Sequence, residues 1–546
     1  MEIGLDTEMK TYCGGLGILA GDTLKSAADL GLNMVGVSLL YKQGWFKQVL
    51  DLEKGQIELP DTWDYEKKLK LHPKNFLIEI AGEMVTVQIW EYTLCGVTGH
   101  QNPVFFLDTD LPENSEIARK LSQVLYSTDL DIWLRQEVLL GAGGLKALEI
   151  LGYPSFENYH LNESHAMPLV LALKKHFKTW EETRKRLCFT THTPLRGAHQ
   201  VAQKDILEKY IPSELLLEIP AELWEEDKIN FTTVCVFASK FSNGVAKRHM
   251  EVTQEMYPQY KIDYVTNGIH HITWASKYQA ELFDKYLGNW KEEPANLRLA
   301  FRIPDEELLE SHKNSKLDLI NEINTFQPTK LNRVLPDFKE NVFTIGFARR
   351  AVPYKRANLI FSQLERLSKI ASRFGGLQIV FSGKTGPNDA EGKETIKQIL
   401  EICGNSNDIL NVAYLENYTM GLSGKLVSGV DIWLNNPLPP LEASGTSGMK
   451  ASLNGVPNFS ILDGWWPEGW VEDMTGWSIG GDLCVGDHCR LIEIEDLYTK
   501  LENVILPKYL DKAKWVQIQK NCIGINGDYF HTKRMLQEYI IKGYIM

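Results

Sequence analysis

The chain has 546 residues, of which 44% are hydrophobic and 24% charged, a composition typical of a folded globular protein that is too long for one ordinary core. Its net charge of −13 and pI near 5.6 argue against a nucleic-acid-binding protein and against binding to anionic membranes, because both favour basic surfaces. No apolar run reaches membrane-spanning length and the first residues lack the pattern of a secretion signal, so the sequence predicts a cytoplasmic protein.

The amino-terminal part of the chain combines helical and strand patterns. Residues 22–30 are predicted to form a helix and residues 34–40 a short apolar strand, a unit that fits an α/β layer. A glycine cluster at residues 14–17 precedes this helix. Missing side chains allow a backbone to approach a ligand closely, but a glycine cluster by itself is also compatible with an ordinary tight turn.

The α/β pattern returns with more clarity after residue 340. Short apolar strands are predicted at residues 342–347, 377–381, 409–414 and 430–434. Helical stretches, such as residues 357–373 and 390–403, separate them. This rhythm indicates a doubly wound parallel sheet.

The segment between these two regions, residues 291–339, is charged, poor in strands and rich in proline. We therefore place the connection between domains near residue 335, which predicts an amino-terminal domain of residues 1–335 and a carboxy-terminal domain of residues 336–546. The last helical stretches, at residues 497–506 and 531–542, can pack back on the first domain.

A run of cations directly follows the first strand of the second region, with Arg349, Arg350, Lys355 and Arg356 close together. Several fixed cations at the end of a strand can form an anion cradle. The alternative is a solvated basic loop, although the position of the run is the one at which an α/β sheet binds ligands.

Residues 442–454 form the most informative stretch of the chain. A polar, glycine-spaced turn opens an apolar helix that carries Lys450. Such a turn presents backbone N–H groups and the positive end of a helix to a phosphate, and a lysine amine condenses with an aldehyde. Pyridoxal phosphate needs both features and is the predicted cofactor. The alternative is an ordinary glycine-capped helix with a surface lysine.

The eight cysteines are spread from Cys13 to Cys522 without the spacing of a disulfide framework or a zinc ribbon. Most are predicted to be reduced core residues. Cys484, His488 and Cys489 lie close together, but no second pair of ligands follows at a finger-like spacing, so no metal site is predicted.

Residues 442–454 closely resemble the cofactor attachment segment of the α-glucan phosphorylases, the family of the glycogen, starch and maltodextrin phosphorylases. The resemblance extends in scattered blocks over nearly the whole chain, and residues 462–468 resemble the short bacterial and archaeal branch. It implies two Rossmann-like, doubly wound domains that face each other across a cleft, the GT-B glycosyltransferase architecture. A homodimer is implied by the same analogy.

The resemblance also implies roles for individual residues, among which Lys450 carries pyridoxal 5′-phosphate as a Schiff base. The implied catalytic residues are Lys450, Arg350, Lys355 and His192. The implied cofactor contacts are Lys450, Thr446, Ser447, Gly448, Tyr418 and Gly15. The implied substrate contacts are Gly14, Gly15, Leu16, Glu163, His192, Asn267, Arg349, Glu442, Ser444 and Gly445.

Three substitutions depart from the pattern of the longer enzymes. Glu163 stands in place of an aspartate and Arg349 in place of a lysine. Because these side chains differ in length and geometry, the sequence does not decide whether they make the implied contacts. Thr419 replaces a basic residue, so the cofactor phosphate has one cation fewer unless Lys384 compensates. Residues 1–5 resemble only the end of a first strand. The long regulatory extension of large phosphorylases has no counterpart, so no such allosteric control is expected.

The implied reaction is reversible phosphorolysis, in which orthophosphate attacks the terminal α-1,4-linked glucosyl unit of a glucan or maltodextrin and gives α-D-glucose 1-phosphate with retained configuration. The 5′-phosphate of the cofactor relays a proton, because two adjacent phosphates share protons to limit their repulsion. A nucleotide-sugar glycosyltransferase of the same architecture, such as a glycogen synthase, is the main alternative. A catalytically silent glucan-binding protein and an aminotransferase-like enzyme are the others.

Overall fold

The computed structural model describes residues 1–329, 337–481 and 487–545. The chain divides into two compact units that are not continuous in sequence. The first unit comprises Met1–Phe46, Pro60–Asn267 and Thr532–Met546, and the second comprises Lys47–Leu59 and Gly268–His531. The carboxy-terminal residues after His531 therefore belong to the first unit, whereas a short segment near residue 50 belongs to the second.

The predicted domain boundary near residue 335 lies outside the described residues. The structure differs from the predicted domains in that the segment before this boundary, from Gly268 onward, belongs to the second unit. In the helix Asp305–Thr325, the buried Lys316 donates to Asp431 Oδ2 (2.6 Å) and to Val342 O (2.8 Å). A buried ammonium or carboxylate is strongly destabilising without its partner. This ion pair therefore holds the helix in the second unit.

A parallel six-stranded sheet forms the centre of the second unit. In order across the sheet, the strands are Leu410–Leu415, Leu377–Ser382, Phe343–Ala348, Ile432–Asn435, Asn458–Ile461 and Gly476–Ile479. Numbered along the chain, this order is 3-2-1-4-5-6, which is the doubly wound arrangement. The predicted fold class is confirmed, and each of the four predicted strands is present within one or two residues.

Both faces of this sheet are covered, because alternate strand residues belong to different hydrophobic clusters. In Leu377–Ser382, Ile379 and Phe381 lie in one cluster and Val380 in the other. Burial on both faces explains why these strands are continuous apolar runs. The α-helices of the unit are His271–Trp274, Lys277–Tyr286, Asp305–Thr325, Leu364–Arg373, Ala390–Gly404, Met420–Gly429, Thr446–Leu453, Trp466–Gly469, Asp487–Lys500, Leu506–Leu510 and Lys512–Asn521.

The first unit contains a parallel four-stranded sheet and a second, mixed four-stranded sheet. The parallel sheet has the order Asp263–Tyr264, Phe241–Gly244, Leu187–Thr190 and Tyr159–Asn162. The mixed sheet has the order Gly36–Leu39, Gln101–Asp108, Glu83–Cys95 and Lys70–Ile80. Its last two pairings are antiparallel, an addition that the sequence did not indicate. A small antiparallel sheet joins Trp224–Glu225, Lys228–Asn230 and Val201–Gln203.

Helices surround the sheets of the first unit, with Gly15–Asp29 and the carboxy-terminal Thr532–Tyr539 in contact with each other. The other α-helices are Tyr65–Lys68, Glu116–Lys120, Leu130–Val138, Gly144–Leu151, Met167–Phe177, Trp180–Arg184, Lys204–Leu207, Ser213–Leu216, Phe231–Ala238 and Lys247–Met256. Among the described residues of both units, no helix is long and apolar enough to cross a membrane.

Four of the cysteines, Cys188, Cys235, Cys403 and Cys522, are buried thiols outside any disulfide, as predicted for reduced core residues. Cys484 and the side chain of His488, which the sequence places near Cys489, lie outside the described residues.

Candidate active site

The strand order of the second unit reverses between Phe343–Ala348 and Ile432–Asn435. In an open parallel sheet, ligands bind beyond the carboxyl ends of the strands at this switch point. The chain leaves the first of these strands into the cationic run that begins at Arg349, and it leaves the second toward Glu442 and Lys450. Two segments that are far apart in sequence therefore reach the position where this fold binds ligands.

A buried cluster of three charges joins these segments. Arg349 Nη2 lies 2.8 Å from Glu442 Oε2, and Lys355 Nζ donates to the same oxygen. Burial and the neighbouring Arg349 charge, opposed in part by Glu442, together lower the pKa of Lys355 to about 7. Burial also opposes ionisation of Glu442, but Arg349 and Lys355 outweigh this effect and keep its pKa below the ordinary value. With Lys355 protonated, the cluster carries an excess positive charge and attracts an anion.

The structure distinguishes the arginines of the cationic run. Arg350, predicted to hold the anion with Lys355, is exposed, whereas the side chain of Arg349 is only 7% exposed and reaches Glu442. Arg356 donates to the carbonyls of Asn436 (2.9 Å) and Pro437 (2.8 Å), so its guanidinium braces the backbone. The buried cationic pair is therefore Arg349 with Lys355, and Arg350 lies outside it.

Lys450 lies in the last turn of the helix Thr446–Leu453 and is 5% exposed. Its Nζ is 3.7 Å from the centroid of the Trp274 ring, a cation–π geometry. Asn454 Nδ2 donates to the carbonyls of both residues at 2.8 Å and fixes their relative positions. The lysine amine is thus held in a buried, partly aromatic setting.

The start of this helix and the amine of Lys450 together fit pyridoxal phosphate. Gly445, at the N-cap, has φ +89° and offers no side chain to cap the first turn. Gly448 N donates to Gly445 O at 3.2 Å, whereas no capping side chain of the described residues competes with a phosphate for the amides of Thr446 and Ser447. Ser444 Oγ is buried, and within the described part of the chain it has no hydrogen-bond partner. An amine that reacts with aldehydes, phosphate-binding amides and an unsatisfied hydroxyl are the groups that this cofactor and its substrates would engage.

Three other residues predicted to contact the cofactor have structural partners. Ser447 Oγ accepts from Trp433 Nε1 at 3.2 Å, and the Tyr418 hydroxyl donates to Ser423 Oγ at 2.8 Å. A Cβ added at Gly448 would lie 2.4 Å from Asn458 Oδ1, so close packing requires glycine there. These residues shape the helix and the loop beside it.

Residues 462–468, which the sequence connected to the short branch of the family, support the turn before the helix. Asp463 Oδ2 accepts from Glu442 N at 2.9 Å, and Trp465 N donates to Ser444 O at 3.0 Å. A Cβ at Gly464 would lie 2.4 Å from Ser444 O. The block therefore fixes the backbone that presents Glu442 and Ser444.

Thr419, at the position where the resemblance implies a basic residue in the longer enzymes, is the N-cap of the helix Met420–Gly429. Its hydroxyl accepts from Leu422 N at 3.3 Å, which is an N-cap interaction. The structure thus gives Thr419 the role of a helix cap.

In the first unit, the glycine cluster forms the start of the helix Gly15–Asp29. Cβ atoms at Gly17 and Gly21 would lie 2.5 Å from Glu2 Oε2 and 1.8 Å from Gly4 O, so packing requires glycine at both positions. By contrast, a Cβ at Gly14 or Gly15 would meet nothing within 4 Å, and neither residue has positive φ. The space beside these two glycines, and beside the partly buried Leu16, is open to a ligand.

Glu2 orders this loop, a role that the sequence did not reveal. Its Oε2 accepts from Cys13 N at 2.7 Å and from Gly14 N at 3.0 Å. Glu2 is 4% exposed. A buried carboxylate therefore holds the backbone just before the glycine loop.

The segment around His192 follows a strand of the parallel sheet in the same unit. His192 Nε2 lies 2.6 Å from Asn162 Oδ1, and because that oxygen only accepts, Nε2 carries the proton and Nδ1 is the acceptor. Burial lowers the pKa of His192 to about 3, so its ring is neutral at physiological pH. His192 is therefore suited to hydrogen bonding and unsuited to donating a proton from an imidazolium.

Glu163, predicted as a substrate contact, uses both carboxylate oxygens within the chain. Oε1 accepts from Ser164 N at 3.0 Å, and Oε2 accepts from His192 N at 2.7 Å and from Thr193 Oγ1 at 3.0 Å. Its backbone has φ +72°, an uncommon conformation for a residue with a side chain. Through these hydrogen bonds, Glu163 fixes the backbone of the loop that carries His192.

Asn267, predicted to bind a sugar hydroxyl, is 3% exposed, and its Oδ1 has no hydrogen-bond partner among the described residues. Arg534 donates to the carbonyls of Thr266 (2.7 Å) and Asn267 (3.0 Å) and is also paired with Glu538. Sequence reasoning missed Arg534, as it missed Trp274, because their contacts join residues that are far apart in the chain.

Several known proteins are similar to this chain in sequence. A model of the family described as carbohydrate phosphorylase matches residues 5–95 and 217–466. The chain is 36% identical to the maltodextrin phosphorylase of Thermococcus litoralis, over all of this chain and 70% of that protein. It is also 36% identical to the glycogen phosphorylase of Aquifex aeolicus, over all of this chain and 85% of the relative. The glycogen phosphorylase of Mycobacterium tuberculosis is 30% identical, over 99% of this chain and 69% of its own. On these matches, the chain belongs to the carbohydrate phosphorylase family.

Proposed function

We propose that this chain is an α-glucan phosphorylase, an enzyme that transfers a terminal α-1,4-linked glucosyl unit reversibly between a glucan and orthophosphate with retained configuration. Its family and its relatives named maltodextrin and glycogen phosphorylase support this function and do not favour the alternatives considered from sequence. The observation that carries the proposal is the position of the Lys450 helix beside the charged cluster. A Cβ at Gly445 would lie 3.2 Å from Arg349 Nη2.

Pyridoxal 5′-phosphate is the proposed cofactor, with Lys450 as its attachment residue. Once bound, it supplies a phosphate group that exchanges a proton with the substrate phosphate. The amides at the start of the helix Thr446–Leu453 would hold phosphate oxygens, and the Trp274 ring would keep the lysine amine oriented. Tyr418, whose hydroxyl donates to Ser423, is proposed to contact the same cofactor.

Arg349 and Lys355 are the proposed orthophosphate ligands. Both are buried, so their charges interact with an anion in a medium that screens them less than water does. Because the pKa of Lys355 is only about 7, an arriving phosphate also promotes its protonation. The two cations keep the phosphate in place as positive charge develops on the glucosyl unit.

Glu442 is proposed to bind a sugar hydroxyl through Oε1, because both cations contact its Oε2. In the first unit, His192 Nδ1 and Asn267 Oδ1 are proposed acceptors for sugar hydroxyls. The neutral ring of His192 leaves proton transfer to the phosphate groups. Gly14 and Gly15 leave the space that the glucosyl unit requires.

The first experiment combines borohydride reduction of the purified protein, mass analysis of the peptide that contains Lys450, and an assay for glucose 1-phosphate from maltodextrin and orthophosphate. We expect a pyridoxyl-phosphate adduct on Lys450 and phosphate-dependent product. An unmodified lysine after incubation with added cofactor would favour a nucleotide-sugar transferase. A modified lysine without turnover would favour a silent glucan-binding protein.

A further inference from the structure

A β-hairpin near the amino terminus lies in the second unit although the residues on either side of it belong to the first. Its strands, Lys47–Asp51 and Gly55–Leu59, pair antiparallel. The tip packs tightly on the helix Ala390–Gly404, since a Cβ at Gly55 would lie 2.1 Å from Lys393 O. This close packing fixes the hairpin against the six-stranded sheet.

The hairpin places two buried glutamines on the loop that follows the strand Leu377–Ser382. Gln48 and Gln56 are 0% and 1% exposed. Gln48 Nε2 donates to Gly383 O at 2.7 Å and to Gln56 Oε1 at 2.9 Å. Gln56 in turn donates to Thr385 O and accepts from Thr385 N, both at 3.0 Å. Neutral amides thus satisfy the backbone of a buried loop.

The other end of the Gln48 amide holds the loop that follows the neighbouring strand, Leu410–Leu415. Gln48 Oε1 accepts from Asn417 N at 2.9 Å, and Gln48 N donates to Asn417 Oδ1 at 3.3 Å. Asn417 has φ +57° and directly precedes Tyr418. One side chain therefore connects two loops at the carboxyl edge of the sheet.

The first of these loops, which contains Gly383, is hydrogen-bonded to the cationic run that begins at Arg349. Arg349 N donates to Ser382 O at 3.1 Å, and Ala351 N donates to Lys384 O at 3.0 Å. A Cβ at Gly383 would lie 1.9 Å from Arg349 O, so the two backbones are in direct contact. A shift of Gly383 would therefore move the backbone that presents Arg349.

We propose that Gln48 is a positioning residue for phosphate binding: its amide fixes the loop at Gly383, and thereby Arg349, together with the loop that carries Tyr418. The inference rests on the proposed function for the identity of the anion. The hydrogen bonds described for Gln48 are to residues of the chain, so it acts through Arg349 and Tyr418.

Gln378 provides a matched control on the same sheet. It is 2% exposed, its Nε2 donates to Lys339 O at 3.1 Å, and its Oε1 accepts from Lys339 N at 2.5 Å. It lies near the start of the strand Leu377–Ser382, at the opposite edge from Gly383. Gln378→Leu removes comparable buried hydrogen bonds without touching either loop.

The kinetic test compares Gln48→Leu, Gln48→Glu and Gln378→Leu. We expect both Gln48 variants to raise the KM for orthophosphate about tenfold, with the KM for maltodextrin unchanged. Gln378→Leu should lower the apparent melting temperature and leave both KM values unchanged. An equal rise of the phosphate KM in Gln378→Leu, or no rise in either Gln48 variant, overturns the proposal.

Hydrogen–deuterium exchange provides a readout that does not depend on activity. Gln48→Leu should speed exchange in the peptides that contain residues 349–351, 383–385 and 416–418. Gln48→Glu keeps an acceptor for Asn417 N but loses the donor to Gly383 O, so it should speed exchange only in the first two peptides. Exchange confined to the hairpin itself would overturn the proposal.

The two failures can be distinguished. If the wild-type protein does not convert orthophosphate, the proposed function fails, whereas the exchange pattern still decides whether Gln48 holds the two loops. Calorimetric titration with inorganic phosphate then replaces the KM comparison. If Gln48→Leu does not fold, Gln48→Glu carries both measurements, because it preserves size and one hydrogen bond.

Discussion

The chain contains two glycine-rich helix starts, and glycine is present for different reasons in each. In the first unit, Gly14 and Gly15 have open space and permit ordinary side-chain conformations. In the second, Gly445 has a left-handed φ and Gly448 is packed against Asn458. The first helix start leaves open space beside its glycines, whereas the second uses glycine to position Lys450 and the turn proposed to bind phosphate.

The two units also differ in charge. The candidate sugar-binding groups of the first unit are neutral, and burial holds the pKa of His192 at about 3. The second unit concentrates Arg349, Lys355 and Glu442 in one buried cluster. The first unit is thus proposed to recognise sugar through neutral hydrogen-bonding groups and the second to recognise phosphate through charge. Substitutions in one unit can therefore test one kind of recognition without altering the other.

The largest expected effect comes from Lys450→Ala. This substitution removes the reactive amine from the helix Thr446–Leu453 and leaves the helix Gly15–Asp29 of the first unit intact. We expect phosphorolysis to fall at least about a thousandfold, together with loss of the cofactor absorbance. Absorbance spectra and the assay for glucose 1-phosphate measure both. Full activity in a variant that holds no cofactor would show that Lys450 has been assigned the wrong role.

Arg349→Ala tests the role of the buried charged cluster in the second unit. We expect the KM for orthophosphate to rise about a hundredfold with the cofactor retained, because a buried charged donor is lost. Arg350→Ala, which removes an exposed arginine, should raise it only severalfold. Steady-state kinetics at fixed ionic strength compare the two. The opposite order of effects would restore Arg350 as the principal ligand.

The sequence was sufficient for the fold of the second unit, because buried parallel strands are short apolar runs separated by helices. It also located the two segments that carry Arg349 with Lys355 and Glu442 with Lys450. Helix starts were less predictable. The first helix begins at Gly15, whereas the sequence predicted a start near residue 22. Glycine is unfavourable within helices, so the glycines of the first turn do not indicate a helix in the sequence.

Contacts between distant residues account for what the sequence did not reveal. The choice of Arg349 over Arg350 depends on which side chain points toward Glu442, and neighbouring arginines are equivalent in a sequence pattern. The assignment of residues 47–59 to the second unit depends on the burial of Gln48 and Gln56 against loops more than three hundred positions away. No local periodicity carries such information.

Substitutions of glycine compare the two helix starts directly. Gly448→Ala should destabilise the protein by about 2 kcal/mol, because its Cβ would overlap Asn458 and the Trp465 ring. Gly15→Ala should leave stability unchanged within about 1 kcal/mol but raise the KM for maltodextrin about tenfold, by placing a methyl group in the ligand space. Thermal denaturation and kinetics measure these outcomes. If Gly15→Ala is destabilised but has normal kinetics, then packing and not ligand space requires glycine at residue 15, and the two helix starts do not differ in this respect.

The smallest expected effect is on pH dependence, which should come from the second unit. Burial lowers the pKa of Lys355 to about 7, so its positive charge is present below pH 7 and is lost as the pH rises above it. The KM for orthophosphate should therefore rise about fivefold more between pH 6.5 and about 8.5 in the wild type than in Lys355→Arg, whose guanidinium stays charged. Because phosphate itself titrates identically in both experiments, the ratio of the two profiles isolates Lys355. Parallel profiles would mean that Glu442 keeps the lysine protonated throughout, and the charged cluster of the second unit would then be as insensitive to pH as the neutral His192 of the first.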